Sequence, residues 1–157
     1  MLKKIATGLA AVAATSALAL ALPAAAYAST PDDHSEYWGP VYAQHHQAKA
    51  QGWVGVDWDR RGRSNEVTVR GRLWDLDNRT YRAGGKCAFV AFQASDFDHD
   101  WSPVYYKKYC GYPGSKWFQF QEHDVLSLRT KVCQIGPNSN FPVKCGHWQY
   151  IYTAEGE

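Results

Sequence analysis

The sequence predicts an all-β protein, an antiparallel β-sandwich or open barrel of about seven strands stapled by two disulfides. Two adjoining runs alternate apolar and polar residues with a period of two. Turn residues recur at fairly even spacing between short strand-like runs, and four cysteines follow what reads as a secretory leader. Behind that leader no stretch shows convincing helical periodicity.

Residues 1–28 have the organisation of a bacterial Sec-type signal peptide. Lys3 and Lys4 give a positive start, residues 5–22 are apolar and Ala-rich, Pro23 breaks the run, and Ala26-Tyr27-Ala28 is a small-x-small cleavage site. The apolar run is nearly long enough to span a bilayer. The cleavage motif directly after a helix breaker favours removal over a retained anchor, and no Cys follows to accept a lipid. Cleavage after Ala28 leaves 129 of the 157 residues, secreted to the extracellular space with no stable membrane anchor. That length makes one domain with a core of its own.

The formal net charge of +2 is carried by Lys3 and Lys4, so the remaining chain balances 15 basic against 15 acidic residues. A protein that neutralises phosphates shows a basic excess, so nucleic acid is not an expected partner. Cys87, Cys110, Cys133 and Cys145 all lie behind the leader, an even count that predicts two disulfides in an oxidising compartment. Of the three pairings, Cys87–Cys110 and Cys133–Cys145 close the short loops between sequential elements. Each is worth about 3 kcal/mol by loop entropy. No two cysteines have zinc-ligand spacing.

Residues 29–40, rich in Asp, Ser, Pro and His, read as a flexible N-terminal arm whose end Tyr37 and Trp38 could pin, and 41–157 as the single domain. Residues 41–47 suit either a short helix after Pro40 or the start of a strand; parity with the next run favours a strand from about His46. In that run Ala48, Ala50, Gly52, Val54, Val56 and Trp58 share one parity, with Trp53 and Asp57 on the other. In the next, Val67, Val69, Gly71 and Leu73 alternate with Arg70, Arg72 and Trp74. The intervening residues 59–65 supply turn chemistry, which makes the pair a hairpin. Residues 87–92 are a continuous apolar run, as in a strand covered on both sides. Residues 103–110 and 116–121 are aromatic strands, 124–135 alternates again, 136–140 is a turn, and 147–153 closes the sheet.

The outward parity of the hairpin carries the leading binding surface. Trp53, Asp57, Arg70, Arg72 and Trp74 share it, and two indoles with Arg and Asp between them suit stacking on sugar rings and hydrogen bonding to hydroxyls. Arg over Trp is also a common packing pair under a second layer. The 7 Trp, 6 Phe and (without Tyr27) 9 Tyr exceed what a core of this size needs, as at an interface.

Other motifs have plainer readings beside the chemical ones. Asp96, Asp98 and Asp100 open like a calcium loop, but Trp101 and Lys107 occupy the positions that need Gly and a bidentate Glu. Ca²⁺ is therefore the only cofactor to consider, against a solvated turn; Asp75 and Asp77 form a weaker version. His45 and His46 diverge on a strand, and the adjacent Glu122, His123 and Asp124 diverge likewise, whereas acid–base work needs convergence. Arg60, Arg61 and Arg63 form a basic hairpin tip that could grip an anionic polymer or simply keep the turn soluble. No hydrolase, metalloprotease or P-loop signature occurs.

The expectation is a secreted, non-catalytic domain that binds an extracellular polysaccharide or protein through aromatic and Arg side chains. The alternatives are a small secreted hydrolase using His and carboxylates on loops, and an inhibitor or toxin-like effector of a protein target.

Overall fold

A computed structural model describes residues 34–154. The leader expected over 1–28 lies outside them. The nine strands are β1 (His34–Tyr42), β2 (Ala48–Trp58), β3 (Asn65–Asp75), β4 (Cys87–Ser95), β5 (Trp101–Tyr109), β6 (Ser115–His123), β7 (Ser127–Ile135), β8 (Pro142–Val143) and β9 (Gln149–Thr153). They form two antiparallel sheets. The first has the order β1-β2-β3-β6; in the second the order is β5-β4-β7-β8, with β9 also paired to β7.

The hairpin over β2 and β3 forms in the expected phase, with Val54 opposite Val69 and Val56 opposite Val67. Ala48, Ala50, Val54, Val56, Val67, Val69 and Leu73 are buried against Ala88, Val90, Phe92, Leu128 and Val132 of the second sheet. Phe92 is central: its ring centroid lies 4.9 Å from that of Phe120, 5.6 Å from Phe118 and 5.7 Å from Trp38. Burying such a ring contributes about 2 kcal/mol. Gly52 and Gly71 pair across β2 and β3 on this inner face. A Cβ on Gly71 would stand 2.7 Å from Phe118 Cζ and 3.0 Å from Trp38 Cζ2, so glycine makes room for the two rings to lie over the sheet.

Several expectations need correction. The flexible arm of 29–40 is a strand from His34 onward, and Trp38 and Val41 at its inner face are buried. These two residues are three apart, an odd register for a strand. A bulge at Gly39 and Pro40, where the peptide is cis and Gly39 takes φ 90°, shifts the pairing with β2 and turns both inward. Gln44–His46 is a 3-10 turn with His45 and His46 at positive φ, so β2 begins at Ala48 rather than His46. In β4 the inward residues are buried but Phe89, Ala91 and Gln93 are only half-buried, so one face of the run meets solvent.

The disulfides are Cys87–Cys110 and Cys133–Cys145. The first ties the start of β4 to the end of β5; the second ties β7 to the segment leading to β9. The hairpin turn is held by Asp59, whose Oδ1 accepts the N–H groups of Arg63 (2.7 Å) and Ser64 (3.3 Å). These bonds draw its carboxyl below the ordinary range. Asn65 acts over a longer range. Its side chain exchanges two hydrogen bonds with the backbone of Val125 (2.7 and 2.8 Å), fixing the β6–β7 connection.

Candidate functional site

The outer face of the first sheet gathers the sequence-predicted site residues in cross-strand rows. One row runs Tyr37, Trp53, Arg70, Gln119; the next Gln51, Arg72, Trp117; the third Lys49, Trp74, Ser115. Trp53 is 54% exposed and Trp117 53% exposed. The two guanidiniums of β3 stand between these indoles, two residues or about 7 Å apart along the strand. Among the described residues no hydrogen bond, ion pair or cation–π contact engages the guanidinium of Arg70 or Arg72.

Two of the five predicted residues play other parts. Trp74 is half-buried and Lys49 Nζ sits 4.3 Å from its ring centroid, so it does not offer a bare ring. Asp57 does not stand between the indoles; it opposes Glu66, which in turn opposes His123, in a row at the hairpin end. Trp117 and Tyr37 complete the surface in its place, Tyr37 lying edge-on to Trp53 at 5.4 Å. The alternation of Trp117, Gln119 and Gln121 against Phe118 and Phe120 could have assigned Trp117 to an outer face. Its pairing beside β3 has no local signal, because β4 and β5 intervene in the chain.

The second sheet has its own outer aromatic cluster. Arg129 lies 3.9 Å from the Trp101 ring centroid and 5.0 Å from that of Trp148. Its Nε and Nη2 donate to Gln93 Oε1 at 3.0 and 2.8 Å. Lys131 Nζ is 4.5 Å from the Trp148 centroid, and Trp101 meets Tyr150 edge-on at 5.8 Å. Lys108 Nζ donates to the carbonyls of Gly136 (2.7 Å) and Pro137 (2.5 Å).

The calcium-like loop closes on itself. Asp96 Oδ1 accepts the N–H groups of Asp98 (2.9 Å) and Asp100 (3.1 Å), as a turn-capping aspartate does. Among the described residues no group of three or more His, Cys, Asp or Glu side chains could hold a metal ion. Asp75 and Asp77 are buried for a structural purpose. Asp77 accepts from Arg79 Nε and Nη2 (both 2.7 Å), from Lys86 N (3.0 Å) and from Gln134 Nε2 (3.0 Å). The Arg79 guanidinium holds its carboxyl well below the usual carboxylate range. Asp75 accepts from the N–H groups of Asp77 and Gly111, while burial pushes its carboxyl upward.

Among the described residues the His and carboxylate groups do not converge on one reacting point. His123 Nε2 lies 3.7 Å from Glu66 Oε2, and both side chains are open to solvent. Ser64 Oγ donates to Asp124 Oδ1 at 2.6 Å rather than to an imidazole, and His99 is an exposed turn residue at φ 69°. Arg60, Arg61 and Arg63 are exposed at the hairpin tip. An open cleft of about 370 Å³ separates β1 from β9, and one of about 310 Å³ borders Asp75, Asp77 and Arg79. Neither is lined by Trp53 or Trp117. No family model, curated protein or solved structure matches the chain.

Proposed function

We propose that this protein is a secreted, non-catalytic domain that binds an extracellular glycan across the outer face of the β1-β2-β3-β6 sheet. Trp53 and Trp117 stack on sugar rings, and Arg70 and Arg72 donate to the substituents. The carrying observation is that two indoles, each more than half exposed, flank two guanidiniums with no partner among the described residues. Large rings left in water on one face are typical of a recognition surface, because they bury much area at low entropic cost when a ligand arrives. A surface without walls suits an extended ligand better than a small molecule, which needs a cleft. The leader and the two disulfides support an oxidising, extracellular setting.

The test is retention on insoluble polysaccharide and cell-wall material. Trp53→Ala with Trp117→Ala should lower retention about a hundredfold and leave the melting temperature within a degree or so of the parent. Equal retention of parent and double variant would remove the platform from consideration.

A further inference from the structure

We infer that the glycan is acidic, a polymer whose sugar rings carry carboxylates, and that Arg70 and Arg72 read those carboxylates. This rests on the glycan-binding reading above and adds the charge of the ligand. In the three rows that hold the indoles, every outward charged side chain is a cation: Lys49, Arg70 and Arg72. The outward carboxylates Asp57 and Glu66 share the row of His123, separated from Arg70 by the neutral row of Gly55, Thr68 and Gln121. Glu66 is already engaged by Gln121 Nε2 at 2.8 Å. Glu36 adjoins Tyr37 but has the opposite parity, pairs with Val54 and lines the cleft facing β9.

The interleaving narrows the chemistry further. Trp53 is the direct cross-strand neighbour of Arg70, and Trp117 that of Arg72, on opposite sides of β3. Each Arg therefore has a Trp on the adjoining strand, the two backbones about 5 Å apart across the ladder. A pyranose stacked on either ring brings a carboxylate at its edge within reach of the neighbouring Arg, whose planar fork engages it in two parallel hydrogen bonds. A neutral glycan would cover both guanidiniums without offering an anion, at a desolvation cost. A polyol phosphate has the charge but no ring face to stack. Single-stranded nucleic acid has both ring and charge, but its charge lies on the backbone phosphates and not on the edge of the stacked ring, where each Arg stands beside its indole.

The experiment measures binding of the disulfide-bonded protein to alginate, a polyuronate, beside a neutral soluble glucan, inorganic polyphosphate and a thymidine oligonucleotide. Alginate should bind about tenfold more tightly than the glucan, and the advantage should shrink as ionic strength rises past about 0.15 M. Arg70→Gln with Arg72→Gln should reduce alginate binding to the glucan level, while Trp53→Ala with Trp117→Ala should abolish binding to both. Equal binding of alginate and glucan, unaltered by the Arg substitutions but lost with the Trp pair, would overturn the acidic ligand and leave the glycan platform standing. Binding of neither polysaccharide would bring down both readings. Tighter binding of polyphosphate or of the oligonucleotide would overturn the uronate assignment in favour of phosphate.

Discussion

The two sheets carry similar side chains on their outer faces and use them differently. On the second sheet, Arg129 is stacked against Trp101 and Trp148 and doubly bonded to Gln93, Lys131 lies over Trp148, and Lys108 caps the turn after β7. Those cations have their contacts within the protein, and the indoles beside them have a face covered. On the first sheet, among the described residues, only Lys49 is used in this way, over Trp74. Arg70 and Arg72 stand beside two exposed indoles with no such engagement among the described residues. Counting Trp and Arg therefore does not locate a binding surface. What separates the proposed recognition face from the packed one is whether the cations already have partners.

The largest expected effect comes from the joint beneath both faces. Asp77 follows β3 of the first sheet and is bonded to Gln134 of β7 in the second. Asp77→Ala would leave the Gln134 amide and the Lys86 N–H unsatisfied where water does not reach freely, and should cost about 3 kcal/mol in denaturant unfolding. It should weaken both faces together, which makes it the control for any surface variant that loses binding by unfolding. The pH dependence follows from the same residue. Its folded-state pKa is depressed, so its contribution is complete above the unfolded carboxylate value of about 3.9 and is lost as pH falls below that. Asp75 acts in the opposite sense: its pKa is raised by burial, so acidification relieves a penalty. The net acid limb should flatten in Asp77→Asn, as followed by circular dichroism between neutral pH and the acid transition.

The alternation over residues 48–73 makes the β2–β3 hairpin and its inner face legible, because each strand keeps one parity from end to end. The cysteine order likewise indicates the disulfides, since each bridge closes a short local loop. β1 is hidden because the bulge at Gly39 and Pro40 breaks parity between Trp38 and Val41, and a polar composition then suggests an arm. Asp57 has the right parity but the wrong distance along the strand to stand among the indoles: it is four residues, about 13 Å, from Trp53. Trp117 reaches the site through a pairing that skips two strands. The partners of Arg129 come from β4, β5 and the segment before β9, a convergence that no periodicity encodes.

Substitutions on the second sheet sharpen the contrast next. Trp101→Ala with Trp148→Ala removes both rings stacked on Arg129 and should lower stability by about 2 kcal/mol, while retention on polysaccharide stays within about twofold of the parent. A large loss of retention would mean that the second face binds ligand and that the proposed division between the faces is false.

The smallest effects are the most discriminating, because they compare one residue type in two settings. Arg129→Ala removes a guanidinium held by two hydrogen bonds and two rings, and should cost about 1–2 kcal/mol. Arg70→Ala removes one with no partner among the described residues, and should change stability by less than about 0.5 kcal/mol. Urea titrations of the two variants in one buffer measure both. If the two costs were equal, Arg70 would be a packing residue like Arg129. The unengaged cation on which the proposed binding surface depends would then not exist.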